Sequence, residues 1–330
     1  MNGDEIRQFW PIPEPWSILP ITQGVNNLTQ VIQTPSGSYI LRAYRRDRPL
    51  ERIRYELHVL KRLRGKALPF QVPIPIPTMT GELFAVLSET ALSLSTRLPG
   101  SPPQNDNLAQ AYAAGEALAE LVAALDQLKV EVTSQVPPFP PSDDFETWAG
   151  IPIIPANLLR ELPLAKEEQE QILTLIERTQ ASVPALYQTL PQQIIHRDYD
   201  QSNILMEGNS VTGVLDFEFC GPDLRVIDLA YALSQWPSGL WNTGKEWAVI
   251  DAFGRGYSGR QKLTRAELEA LPLIFHLRAT TNMFFHLGRF AQGTETSEEI
   301  LEGVRETLTT EAWLQIHAEE LVKQACSWLD

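Results

Sequence analysis

The sequence predicts an α+β protein in two lobes, a small antiparallel β lobe over residues 1–98 and a larger, mainly helical lobe over residues 99–330. Three observations carry this. Short alternating apolar runs separated by turn residues fill the first hundred positions. An Ala-rich amphipathic stretch at 108–128 opens a region of helical spacing that runs, with one interruption, to the C-terminus. The interruption, residues 192–219, returns to short strands around a polar loop.

Taken in order, residues 16–21, 28–34 and 38–44 read as strands. The turn Pro35-Ser36-Gly37-Ser38 joins the last two as a hairpin. Residues 49–64 place Ile53, Leu57, Leu60 and Leu63 at helical spacing. Strands at 83–88 and 91–96 follow, turning at Glu89-Thr90. The change of character falls near Pro99-Gly100. Residues 101–107 form a loop with a helix-start signal before the helix at 108–128. Residues 136–156 are Pro-rich and loop-like, residues 166–190 contain a helix, and from Asp228 onward the pattern is mainly helical.

Composition bounds the function. Net charge is −14, which excludes a general nucleic-acid binder, because phosphate backbones require clustered Lys and Arg. The balance is uneven: residues 1–100 hold 12 Lys+Arg against 8 Asp+Glu, or +4, while residues 101–330 hold 15 against 33, or −18. A basic first third suits a polyanionic ligand. An acidic remainder suits solubility, or a cationic or zwitterionic substrate. Cys220 and Cys326 are the two cysteines; they form no disulfide framework or zinc site and fit a reducing, cytoplasmic setting. The N-terminus has no leader pattern, and no apolar run approaches the ~18 residues of a membrane span, so no membrane partner is expected. A monomer or homodimer is expected.

The strongest chemical signal lies in residues 193–206, QIIHRDYDQSNILM, followed by VTGVLDFEF at 211–219. Apolar strands bracket a polar loop, and a Glu207-Gly208-Asn209 turn leads to a third strand ending at Asp216. Asp198, Asn203 and Asp216 thereby gather near strand ends on one side. Hard oxygen ligands of this kind suit Mg²⁺ bridging phosphates, with Asn203 and Asp216 as the metal ligands. Asp198, five residues before Asn203, is placed to orient and deprotonate an attacking hydroxyl.

This spacing, His-x-Asp-x-x-x-x-Asn and then Asp-Phe-Glu, resembles the catalytic core of the aminoglycoside phosphotransferase and choline kinase superfamily, which includes homoserine kinase-like proteins. The resemblance implies a protein-kinase-like fold whose first lobe binds nucleotide, with ATP and Mg²⁺ as cofactors and a small-molecule hydroxyl as acceptor. It implies that His196 props the loop and that the buried helix residue Asp228 braces it by accepting backbone N–H bonds. In the first lobe, Gly24, Asn26 and Asn27 resemble the family's phosphate-covering entry. Arg42 stands where kinases carry a strand lysine, with Glu56 as its helix partner. Residues Ser95, Thr96 and Arg97 resemble the hinge whose backbone receives the adenine. Arg197 and Tyr199 depart from the family pattern and bear on substrate choice; Asp200 and Glu218 are either ordinary surface carboxylates or part of the substrate or metal shell.

Asp228 follows Asp216 by only twelve positions, too few for the activation segment that presents a peptide to a protein kinase. The expected acceptor is therefore a small metabolite: an amino alcohol, an amino acid such as homoserine, or a sugar. His276 and His286, on an aromatic-rich stretch at 273–290, are candidates to line its pocket, while packing is expected of Trp236, Trp241 and Trp247. The competing readings are an aminoglycoside-modifying kinase, a non-catalytic nucleotide-binding regulator, and a metal-dependent hydrolase built on His196, Asp198 and Asp216.

Overall fold

The computed structural model describes residues 3–20, 28–46, 48–134 and 146–329. Helix α1 (Gly3–Arg7) precedes a five-stranded antiparallel sheet of β1 (Ser17–Pro20), β2 (Leu28–Thr34), β3 (Gly37–Ala43), β4 (Ala85–Leu87) and β5 (Thr90–Thr96), in the order β1-β2-β3-β5-β4. Helix α2 (Leu50–Leu63) is inserted between β3 and β4. The pleat sorts the side chains, since alternate residues face opposite sides of a sheet. Leu41, Ala43, Leu92 and Leu94 turn to one face and pack with Ile6, Trp10 and Ile12. Arg42, whose register partner is Ser93, turns to the other. The covering by the N-terminal segment was not read from the sequence. It is fixed by Trp10, 1% exposed, whose indole N–H donates to the Ile76 carbonyl at 2.9 Å.

The second lobe contains α3 (Leu108–Asp126), α4 (Glu146–Ala149), α5 (Pro155–Glu161), α6 (Lys166–Thr189), α7 (Ile227–Gln235), α8 (Glu246–Ser258), α9 (Arg265–Glu269), α10 (Leu271–Ala291) and α11 (Ser297–Cys326). The Asn107 side chain caps α3 by accepting from the Ala109 and Gln110 amides, which satisfies two otherwise orphaned donors. By length and mean hydropathy α3 passes as a membrane span, contrary to expectation; 56% of its apolar window is buried inside the protein. Its Ala and Gly face is a packing surface against α8. A Cβ on Gly115 would lie 2.1 Å from the Phe253 carbonyl, and one on Gly256 2.0 Å from the Tyr112 carbonyl. The two helices approach backbone to backbone, and the small residues that permit this raise the helix's hydropathy.

Two small ribbons stand between the helices. Strand β6 (Gln192–Ile195) pairs antiparallel with β9 (Gly221–Leu224), and β7 (Ile204–Glu207) with β8 (Ser210–Val214). β9 escaped sequence reading because Gly221-Pro222-Asp223 reads as a turn. Pro222 is tolerated because the ribbon has only two strands, so a missing amide breaks no central ladder. The β7–β8 hairpin also receives the chain where it passes between the lobes. Gln71 and Ser101 each bridge to it, with the Gln71 amide donating to Thr212 O at 2.9 Å and the Met206 amide to Ser101 O at 2.8 Å.

Candidate active site

The polar loop between β6 and β7 holds a backbone conformation that side-chain-bearing residues adopt only when it is enforced. Arg197 has φ 69° and Asp216, beyond β8, has φ 55°. Such left-handed residues cost of order 1–3 kcal/mol each and persist where the surroundings dictate them. At Arg197 the enforcement is visible. Asp228 accepts the His196 amide at 2.8 Å and the Arg197 amide at 2.6 Å. Arg197's guanidinium, fully buried, is held by Asp223 at 3.0 Å, Phe219 O at 3.2 Å and Pro222 O at 2.6 Å. Burial pushes Asp228 up to about 6, against the downward pull of the two amide bonds.

His196 is the second prop. The Asp198 amide donates to its Nδ1 at 3.2 Å, so Nε2 carries the proton and donates to Leu215 O at 2.9 Å. Burial lowers its pKa to about 4, and the ring stays neutral. Both ring nitrogens are committed, so His196 is not a metal ligand. Among the described residues no group of three His, Cys, Asp or Glu side chains could hold a metal ion. The hydrolase reading lacks its ligands on both counts.

Asp198 faces a different environment. Tyr231's hydroxyl lies 3.0 Å from its Oδ1 and 3.1 Å from Asp200 Oδ2, and Asn203 Nδ2 donates to its Oδ2 at 3.0 Å and to its carbonyl at 2.9 Å. Burial, then the charges of Asp200 and Asp216, push the Asp198 carboxyl well above the usual range. Asp216 moves the other way. Burial would raise it, but the charge and hydrogen bond of Arg42 at 2.9 Å outweigh that and hold it ionised. The site thus carries a basic carboxylate beside an anionic one, the division expected of an acid–base group and a cation ligand. Asn203 uses its amide nitrogen on Asp198, which leaves its oxygen to act as an acceptor.

Arg42 joins the lobes. It binds Glu56 at 2.9 Å, Asp216 at 2.9 Å and Glu218 at 3.2 Å. Arg48, which motif reading passed over, also pairs with Glu56 and Glu218. Glu218 is 3% exposed, so it is a core partner of these arginines and not a surface carboxylate. Among the hinge candidates, the Arg97 amide is spent inside the sheet on Ser38 O at 2.9 Å; Ser95 and Thr96 lie in β5 opposite Ile40 and Tyr39. Gly24, Asn26 and Asn27 lie outside the described residues.

A cavity of about 380 Å³ opens beside Asp198. Asp200, Tyr231, Arg278, Trp148, Phe219 and Phe285 contribute to its wall. Trp148 and Phe219 approach at 6.1 Å, as do Phe219 and Phe285. His286 reaches the wall but its Nδ1 is engaged by Glu295 at 2.8 Å, and His276 pairs with Glu311 at 2.7 Å. Of the two residues that depart from the family pattern, Arg197 borders the cavity, while Tyr199 is buried, with its hydroxyl donating to Ala114 O at 3.0 Å. Trp236 is buried, while Trp241 and Trp247 pack at a tilt against Trp313, with centroids 4.8 and 5.0 Å away, as packing residues do. Of the cavity wall, Tyr231 and Trp148 carried no sequence signal, since an aromatic residue in a helix usually means core.

With this geometry in hand, comparison with known proteins is informative. The model of the phosphotransferase enzyme family matches residues 17–271. A homoserine kinase of Caulobacter vibrioides is 27% identical over 330 residues, covering 98% of this chain and 97% of the relative. Among solved structures, amicoumacin kinase superposes with a TM-score of 0.70 at 15% identity, covering 92% of this chain and 90% of its own. A microcompartment-associated aminopropanol kinase superposes with a TM-score of 0.64 at 17% identity, with 96% and 97% covered.

Proposed function

The chain belongs to the phosphotransferase enzyme family and is a small-molecule kinase, and from that premise we propose that it uses Mg²⁺-ATP to phosphorylate the hydroxyl of a small hydroxy amino acid, homoserine. The observation that carries this reading is similarity to a homoserine kinase along nearly the whole of both chains. The cavity supports it: about 380 Å³ sits at the small end of ligand pockets, which run roughly 300–1,000 Å³, and this favours a short acceptor over an aminoglycoside.

In the proposed mechanism Asp198 orients the acceptor hydroxyl and takes its proton as the oxygen bonds to the terminal phosphorus of ATP and the bond from that phosphorus to the bridging oxygen breaks, releasing ADP. Tyr231 and Asn203 hold the carboxylate in one rotamer for that step. Asn203 and Asp216 would hold the divalent cation, whose contribution is to neutralise charge on the phosphates. Arg42, anchored by Glu56, is the cation assigned to the phosphate side, and Asp228 with Arg197 keeps the loop in its enforced conformation. The adenine is assigned to the end of β5 at Ser95, Thr96 and Arg97, through backbone groups other than the Arg97 amide, which is bonded to Ser38 O.

The test is a turnover assay with Mg²⁺-ATP across hydroxy amino acids, amino alcohols, sugars and aminoglycosides. Homoserine is expected to give the highest kcat/KM. An amino alcohol in first place would redirect the assignment to the acidity of the second lobe, and turnover of sugars or aminoglycosides alone would refute it.

A further inference from the structure

Among the described residues, four carboxylates line the cavity: Asp198, Asp200, Glu295 and Glu306. Asp198 is the assigned base. Glu295 is taken by His286 and Arg289. Glu306 is exposed to solvent on α11, where its charge needs no partner. Asp200 is half-buried at the head of the turn that leads to Asn203. Its Oδ1 accepts the Ser202 amide at 2.7 Å and the Ser202 hydroxyl at 2.6 Å, which fixes the carboxylate on the loop. Its Oδ2 reaches the Tyr231 hydroxyl at 3.1 Å, and the same hydroxyl lies 3.0 Å from Asp198 Oδ1. The Tyr231 ring is in turn covered by Arg278, whose guanidinium carbon lies 4.2 Å from its centroid. A phenol has one hydrogen to donate. When Asp198 receives it, Asp200 Oδ2 is left short of a donor. The partners of the Asp200 side chain, Ser202 and Tyr231, are also both neutral. Enclosed carboxylates nearby are matched by cations instead: Glu218 by Arg42 and Arg48, Asp223 by Arg197 and Glu295 by Arg289. Among the described residues Asp200 has no ion pair of that kind. Taking a charge out of water is unfavourable unless an opposite charge replaces the solvent, so a ligand that covers Asp200 is favoured if it brings its own cation.

From this arrangement we propose that Asp200 is the specificity-determining residue of the acceptor pocket, its carboxylate binding the ammonium group of the acceptor and so selecting an amine-bearing alcohol over one without the amine. The proposal rests on the small-molecule acceptor reading above and adds which residue recognises which group. Asp198 Oδ1 and Asp200 Oδ2 touch one phenolic oxygen, so they are separated by no more than the sum of those two contacts. One short acceptor can therefore offer its hydroxyl to Asp198 and its ammonium to Asp200. The ammonium carries three donors and a positive charge, the two things that Asp200 lacks from the protein.

The experiment compares three acceptors: L-homoserine, 3-aminopropan-1-ol, which lacks the carboxylate, and 4-hydroxybutanoate, which lacks the amine. Turnover is measured with Mg²⁺-ATP, and binding of each compound by calorimetry. Wild-type enzyme is expected to favour both amine-bearing compounds over 4-hydroxybutanoate. Asp200→Asn keeps an oxygen to accept from Ser202 and removes the charge. It is expected to lower kcat/KM for the two amine-bearing acceptors relative to 4-hydroxybutanoate by roughly 10–100-fold, the value of a charge-assisted hydrogen bond, through KM more than kcat. The charge of Asp200 also acts on Asp198, and a role limited to that, or to supporting the loop, would change all three acceptors alike and leave the ratio fixed. Because the ratio is taken within one preparation, it decides the matter even where the variant melts at a lower temperature. A fixed ratio overturns the inference and leaves homoserine as the substrate. A fallen ratio with 3-aminopropan-1-ol ahead of homoserine supports the inference and overturns the choice of homoserine. Wild-type preference for 4-hydroxybutanoate, or binding of neither amine-bearing compound, overturns both.

Discussion

The two sides of the active site are built on opposite electrostatic plans. On the side toward the small lobe, two arginines and three carboxylates interlock: Arg42 and Arg48 with Glu56, Asp216 and Glu218. Glu56 and Glu218 are 2% and 3% exposed, so their charges are tolerable only because each is shared between both arginines. On the side toward the cavity, Asp198 and Asp200 approach a single phenol, and the charge of Arg278 acts on Asp198. One side is saturated and fixed before any ligand arrives; the other holds a carboxylate whose ionisation is opposed. The difference shows how two aspartates eighteen residues apart, on either side of the β7–β8 hairpin, come to hold opposite protonation tendencies.

Substitutions can break that contrast. The largest effect is expected at Asp198, where Asp198→Asn keeps the shape and removes the basic group. Turnover is expected to drop roughly 10²–10⁴-fold with folding unimpaired; steady-state rates alongside a melting curve check this, and a near-normal rate would remove Asp198 from the chemistry. Arg42→Ala attacks the saturated side. It leaves Glu56 and Glu218 buried with Arg48 as their shared partner, at a cost of about 3 kcal/mol of stability, the low end for unpairing a buried charge. Denaturant unfolding measures this, and an equally stable variant would mean that the network is not compensated as its distances indicate.

The smallest expected effect concerns the prop common to both sides. His196 is lowered to about 4 in the folded protein from an ordinary value near 6.5. Between those values the unfolded chain binds more protons, so this group's contribution to stability is present above about pH 6.5 and is lost as pH falls toward 4. The stability deficit of His196→Gln relative to wild type is therefore expected to narrow across that window. A deficit independent of pH would show that the ring is not buried in its neutral form.

How much of this was legible in the sequence follows the same division. The sheet, the α2 insertion, α3 and the order of the second lobe were readable because alternation and helical spacing reflect burial directly. His196, Asp198 and Asn203 were readable as neighbours because a short loop between two strands fixes their geometry locally, and Asp216 because a tight hairpin brings it back beside them; Asp228 was readable only through the family resemblance. The structure joins Asp228 to the loop through 2.6 and 2.8 Å bonds. The acceptor wall was less readable. Tyr231 lies on α7 and Arg278 on α10, and their meeting depends on how two helices pack, which spacing along one helix does not encode. Glu218 and Arg48 hid for a related reason: a charged residue looks solvated until the partner that neutralises it, 170 residues away, is seen.

The crossings at Gln71 and Ser101 have a mechanical consequence. Both segments are hydrogen-bonded to the same β7–β8 hairpin, the hairpin that follows Asn203 and leads to Asp216. Asn203 and Asp216 sit at the two ends of that hairpin, so backbone bonds from two distant stretches of chain converge next to both side chains. Any rotation of one lobe against the other that keeps these bonds turns about the hairpin and displaces Asn203 and Asp216 least.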